Sequence, residues 1–331
     1  MWHSTVGCLV ILSLFVTPLA TEAQQLGHIP LVGVLRPGNP SEEFDPQSTL
    51  SAFRQGLLEL GYAEGHTIRL AYRFADGHGD RLPALAAELV ALQPDVIVTN
   101  ATLGARAAQQ ATTTIPIVVA FATDLVEAGL VTSLARPGGN LTGQHSRDLE
   151  VLGKLLEILK EAVPTTTAVG VLAPLTGNPL APRFTSAFDA AAQALGVRLQ
   201  HVEAGGPEAF DAAFATIATS GAETLLIQNS FVFGVHRQRL LDLARTHRLP
   251  TVCNGRLYAE AGCLITYSPN ARELYRRAAV FVDKILKGAK PGDLPVERPD
   301  KFELIVNLKT AQALGITIPP ALLTRADEVL Q

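Results

Sequence analysis

The chain has 331 residues, 47% hydrophobic, 18% charged and 6% aromatic, with a formal net charge of −4. That length and apolar content can supply the cores of two ordinary domains. Many small and branched aliphatics with few aromatics suit parallel sheets covered by helices. No basic run stands out, so the charge pattern carries no nucleic-acid footprint.

Residues 6–16 form an apolar run broken only by Gly7 and Ser13. At roughly 11 residues it is too short to cross a hydrocarbon core as a helix. Pro18 and the small-x-small pattern Thr21-Glu22-Ala23 follow. Together these predict a signal peptide over residues 1–23, cleaved after Ala23, and hence export to the periplasm. The leader lacks the usual Lys or Arg before its apolar run, and Cys8 lacks the upstream Leu of a lipid-anchor signal. No later stretch is apolar enough to span a membrane, so no membrane span is expected in the mature chain. The mature chain keeps Cys253 and Cys263. Two buried strand thiols are the favoured expectation, with a disulfide in an oxidising compartment as the alternative.

From residue 31 the pattern alternates. A short apolar run, residues 31–35, ends at Pro37-Gly38. Leu50, Phe53, Leu57 and Leu60 then recur at helical spacing, and Gly61 stops the helix. Strands are predicted at 67–72, 96–98 and 117–119, with helices at 82–92 and 103–111 between them. Such alternation predicts a doubly wound parallel sheet.

The second half repeats the plan. Phe53 precedes Leu60-Gly61 by seven residues, and Phe188 precedes Leu195-Gly196 by seven. Asp95-Val96-Ile97-Val98-Thr99-Asn100 matches Glu223-Thr224-Leu225-Leu226-Ile227-Gln228. Ile115-Pro116-Ile117-Val118 matches Leu249-Pro250-Thr251-Val252, and Glu127-Ala128-Gly129-Leu130 matches Glu260-Ala261-Gly262-Cys263. Four matches in one order indicate two copies of one unit. The expected fold is therefore α/β, with two doubly wound parallel-sheet lobes, a hinge and an interlobe cleft. The N-terminal lobe is expected over residues 29–143 plus about 268–290, and the C-terminal lobe over 144–266. The tail at 291–331 has no predicted lobe.

Catalytic signatures are missing. The turn after the first strand, residues 35–40, is not a G-x-G-x-x-G loop. There is no P-loop, G-x-S-x-G, C-x-x-C or H-E-x-x-H, and no local histidine pair for a metal. Neutral hydrogen-bonding residues cluster instead at predicted strand ends, where open α/β sheets bind ligands. In the first lobe these are Asn100, Thr102, Thr123 and Asp124, with Arg36 after the first strand. In the second they are Asn178, Asn229, Ser230, Asn254 and Arg256, near Phe231, Phe233 and Tyr258. A helix start at Thr102 suits a carboxylate, although Thr102 would also serve as a simple N-cap. Either Arg could fork onto a carboxylate, or sit as a rim charge. The expected ligand is a small polar or amino-acid-like carboxylate, with no cofactor and no metal.

On these residues the chain resembles the ABC transporter substrate-binding proteins of the tryptophan/tyrosine-binding type, which have a type I periplasmic binding protein fold. The resemblance is carried by Ile115-Pro116-Ile117-Val118, by Thr123-Asp124 with Gly129-Leu130-Val131, and by residues 134–143. It continues through Ile285-Leu286-Lys287-Gly288, Leu308-Lys309-Thr310-Ala311, residues 314–320 and Arg325-Ala326-Asp327. It implies a periplasmic receptor, soluble or lipid-anchored, that delivers solute to a permease with a cytoplasmic ATPase. Pocket-side positions depart from the family's pattern: Leu125 follows Asp124, Glu127 precedes Ala128, the first-strand turn of the second lobe reads Ala173-Pro174-Leu175, and Gln228-Asn229-Ser230 replaces an acidic residue. An enzyme on a two-lobed scaffold and a sensory binding module are the rival readings.

Overall fold

The computed structural model describes residues 28–40, 48–123, 125–146, 148–175, 181–228 and 230–331. The predicted leader at 1–23 lies outside the described residues. The first sheet holds β1 (Leu31–Arg36), β2 (Arg69–Phe74), β3 (Val96–Thr99), β4 (Ile117–Thr123) and β5 (Leu141–Ser146), all parallel in the order β2-β1-β3-β4-β5. Alternation along these strands feeds two cores. Val32, Val34, Val96, Val98 and Val118 meet α1 (Thr49–Glu59) and α10 (Ala271–Leu286). Leu35, Ile97, Ile117 and Val119 meet α2 (Leu82–Ala91) and α3 (Ala101–Ala111) on the other face. Leu50, Phe53 and Leu57 are buried on α1, whereas Leu60 caps its C-terminus and is 37% exposed. The N-cap of α10 is Asn270, whose Oδ1 accepts from the Glu273 N–H at 2.9 Å.

The second sheet holds β6 (Ala168–Ala173), β7 (Arg198–Glu203), β8 (Thr224–Ile227), β9 (Thr251–Cys253), β10 (Ile265–Pro269), β11 (Phe302–Asn307) and β12 (Glu328–Leu330). Its order is β12-β11-β10-β9-β8-β6-β7. One face packs on α4 (Asp148–Ala162), α5 (Ala181–Ala194), α11 (Leu308–Leu314) and α12 (Pro320–Arg325). The other packs on α6 (Phe210–Thr219), α7 (Phe231–Val235), α8 (Arg237–Thr246) and α9 (Arg256–Glu260). This sheet is mixed, not wholly parallel: the tail strand β11 runs antiparallel to β10, and β12 runs parallel to β11. The tail thus completes the second lobe.

The paired sequence matches occupy equivalent places. Strands β6-β10 repeat the order of β1-β5. Both Leu-Gly pairs end a helix in a Schellman turn, with Gly61 at φ +92° and Gly196 at φ +65°. Tyr62 N–H reaches the Leu57 carbonyl and Val197 N–H the Ala192 carbonyl, each at 2.9 Å. The matched acids do the same work: Asp95 accepts from the Leu31 N–H at 2.8 Å, and Glu223 from the Thr167 N–H at 2.7 Å.

The lobe boundaries differ from the expectation by a few residues. β5 continues through Ser146 because Gln144 donates to the Ala120 carbonyl (2.8 Å) and Ser146 to the Ala122 carbonyl (3.1 Å), holding residues 144–146 against β4. β10 extends to Pro269, paired with Phe302. The first lobe also keeps the chain as far as Glu297, whose N–H donates to the Gly143 carbonyl at 2.9 Å and whose carboxylate takes two bonds from Arg277. The chain therefore crosses between lobes three times: between Ser146 and α4, between β10 and α10, and over residues 298–301.

Candidate functional site

Arg36 is the last residue of β1 and is 5% exposed, so it is no rim charge. Nη1 donates to Asn100 Oδ1 at 2.9 Å and Nη2 to Thr49 Oγ1 at 3.2 Å. The guanidinium lies 4.5 Å from the centroid of the Tyr275 ring. A planar cation can bond in its plane while stacking through its face. Arg36 thereby joins the ends of β1 and β3 to the starts of α1 and α10.

Between β3 and α3 the backbone turns sharply. Ala101 has φ +58°, a left-handed conformation that costs a Cβ-bearing residue roughly 1–2 kcal/mol. The helix therefore begins at Ala101, before the expected start, and Thr102 does not cap it. Instead Thr102 Oγ1 donates to the Thr123 carbonyl at the end of β4, at 2.9 Å. Ser146 Oγ lies 3.3 Å from Thr123 Oγ1, so the ends of β3, β4 and β5 are stitched into one edge. Asp124 lies outside the described residues.

In the second lobe Ser230 caps α7, its Oγ accepting from the Phe233 N–H at 3.1 Å. Phe233 and Tyr258 are core residues, 0% and 4% exposed, and so do not wall a cleft as expected. Burial pushes the Tyr258 phenol pKa up. Arg256 does not face an open site either. It bonds Glu328 of β12 and lies 3.8 Å from Glu260, because the tail strand brings an acid to it that the sequence pattern did not place. The Asn254 side chain, half-buried at the end of β9, makes no hydrogen bond among the described residues. Asn178 and Asn229 lie outside them. Cys253 and Cys263 are joined as a disulfide, against the expectation of two thiols. The parallel pairing of β9 with β10 brings the end of one strand beside the approach to the other.

The two edges oppose each other. Gly77, after β2, lies against Val235, after β8: a Cβ built on Gly77 would be 3.5 Å from a Val235 methyl. Glu127, after β4, meets Arg183 in the first turn of α5, after β6, with Oε1 and Nη1 2.6 Å apart. The Arg183 bond holds the Glu127 carboxyl below its usual pKa. The sequence pattern marks Glu127 as a pocket-side position but does not single out Thr49, Tyr275 or Arg183. Glu127 and Arg183 are 56 residues apart, and no local pattern links them. A hollow of about 400 Å³ on the first lobe's flank, lined by Leu58, Tyr62 and Glu64 among others, contains none of the candidate residues.

Two similar α/β lobes, three crossovers and facing carboxyl edges define a type I periplasmic binding protein fold. The sequence model of the ABC transporter substrate binding protein family matches residues 46–330, and the chain belongs to that family. It is 27% identical over 265 residues to a protein of Clostridioides difficile (strain R20291) named tyrosine-binding protein, covering 80% of this chain and 75% of that one. It superposes with a TM-score of 0.83 and 24% identity on an ABC domain from Streptococcus pneumonia in complex with L-Trp, covering 91% of this chain and 99% of that one. On the ligand-free, open structure of a substrate-binding protein with adhesive properties from Clostridium difficile the TM-score is 0.68, at 22% identity, with 92% and 99% covered.

Proposed function

We propose that the chain is the solute receptor of an ABC-type importer. It is exported with its leader removed, captures a small amino-acid-like carboxylate between its lobes, and hands it to a permease driven by a cytoplasmic ATPase. The observation that carries this reading is the opposition of the two carboxyl edges, with segments after β2 and β4 meeting segments after β8 and β6. Ligands of open α/β sheets bind at such edges, and hinge closure buries them. On this reading the start of α3 offers backbone N–H groups to an anion, and Asn254 offers an uncommitted amide from the opposite lobe. Arg36 holds the first edge in shape. The reading has the chain bind solute without turning it over. The relatives' ligands place tyrosine and tryptophan first in any screen.

The test is a thermal-shift panel of amino acids, other small carboxylates and purines. A true ligand at a hundredfold excess over Kd adds about 2.7 kcal/mol to stability. Asn254→Ala should weaken that ligand by tenfold or so, as expected for a lost buried hydrogen bond of about 1.4 kcal/mol. A panel without hits, or chemical turnover of a hit, would overturn the proposal.

A further inference from the structure

Among the described residues the lobes share no apolar core: each of the four buried clusters draws its residues from one lobe. Away from the crossovers, Gly77 comes close to Val235 at one rim of the cleft, and the ion pair of Glu127 with Arg183 spans it at another. Both halves of the pair are built for that position. On the first lobe, α3 grips the loop that carries Glu127: Arg106 donates to the Ala128 carbonyl at 3.0 Å, and Gln109 to the Leu130 carbonyl at 2.9 Å. The loop also closes on itself through the Leu130 N–H and the Leu125 carbonyl at 2.9 Å. On the second lobe, Arg183 stands in the first turn of α5. A cation there opposes the helix dipole. It is compensated by the carboxylate across the cleft.

We infer that Glu127 and Arg183 form an interlobe latch that sets the balance between open and closed lobes. The inference rests on reading the chain as a receptor that closes about a hinge. Rotation about the three crossovers separates the two side chains without disturbing either core. Their side chains are 35% and 51% exposed, so the bond is screened by water and is weak enough to break on each cycle. The grip of α3 on the Glu127 loop also ties the latch to the helix whose first turn borders the cleft.

The experiment measures interlobe distances by paired nitroxide labels at Gln110→Cys and Gln238→Cys, in the leaderless chain without added solute. The latch requires a populated closed distance in the parent protein. Glu127→Gln and Arg183→Gln should each raise the open-to-closed ratio by about 1.4- to 5-fold, the range of an exposed ion pair. The exchanged pair Glu127→Arg with Arg183→Glu should return it close to the parent value. A parent protein with no closed population, singles indistinguishable from the parent, or an exchange that merely sums the singles would each overturn the latch. A failed ligand panel with normal label distances would instead sink the proposed function and leave the latch standing.

Discussion

Reducing the Cys253–Cys263 bridge should destabilise the second lobe measurably. The bridge closes a loop of sequence separation 10. Loop-closure entropy for that length is worth about 2.7 kcal/mol at 25 °C. Both cysteines are fully buried, so reduction leaves the packing atoms in place and isolates the cross-link from the core. For a lobe of this size, each kcal/mol moves Tm by about 2–4 °C, so a fall of about 5–11 °C is expected. The assay compares melts of the leaderless chain, denatured and refolded with and without dithiothreitol. Thiol titration of the unfolded, unreduced protein should find none. Because the closed loop carries Asn254, the reduced protein should also bind any confirmed ligand more weakly than its oxidised form. Two titratable thiols in the unreduced protein, or identical melts, would refute the reasoning.

Gly143→Ala should cost about 3 kcal/mol or more in urea denaturation, since Gly143 has φ +136° and a Cβ there would lie 2.1 Å from the Val119 carbonyl oxygen. Arg36→Lys should lose about 1.5–3 kcal/mol, because an ammonium cannot serve Asn100 and Thr49 while stacking on Tyr275; an unchanged urea midpoint would contradict this. Acid should destabilise the fold in part through Glu223, whose pKa is lowered below 4.5, chiefly by the Thr167 N–H. The unfolded chain then takes up the proton first, so this contribution is whole above pH 4.5 and is lost as the pH falls through the lower folded value. Melts between pH 6 and 3 should show a shallower acid slope in Glu223→Gln.

Much of the fold was legible because it depends on local punctuation and alternation. The Leu-Gly helix stops and the paired acids Asp95 and Glu223 recur at matching places, and the structure gives each the same backbone role in both lobes. The candidate site was legible only in part. Strand ends can be found from a one-dimensional pattern, which is why Arg36, Asn100, Thr102 and Thr123 fall on one edge. What a side chain does there depends on partners far along the chain. Arg256 was drawn to Glu328, 72 residues away, and Arg36 was claimed by Tyr275 on a helix from the far side of the second lobe. The aromatic residues Phe233 and Tyr258 looked like cleft walls because helical pattern does not say which face turns inward.

The placement of α10 bears on how the chain reaches this structure at all. Val32, Val34 and Phe53 lie in the core completed by Tyr275, Ala278, Phe281 and Val282. A growing chain makes all of sheet one by residue 146 but has only α1 over that face until residue 286 emerges. The N-terminal lobe therefore cannot finish folding first, although it is made first. Contacts of such long sequence separation are slow to form, and the half-covered sheet presents apolar surface in the interval. Synthesis order and folding order are thus uncoupled, and the helix between β10 and β11 is the step at which the first lobe becomes complete.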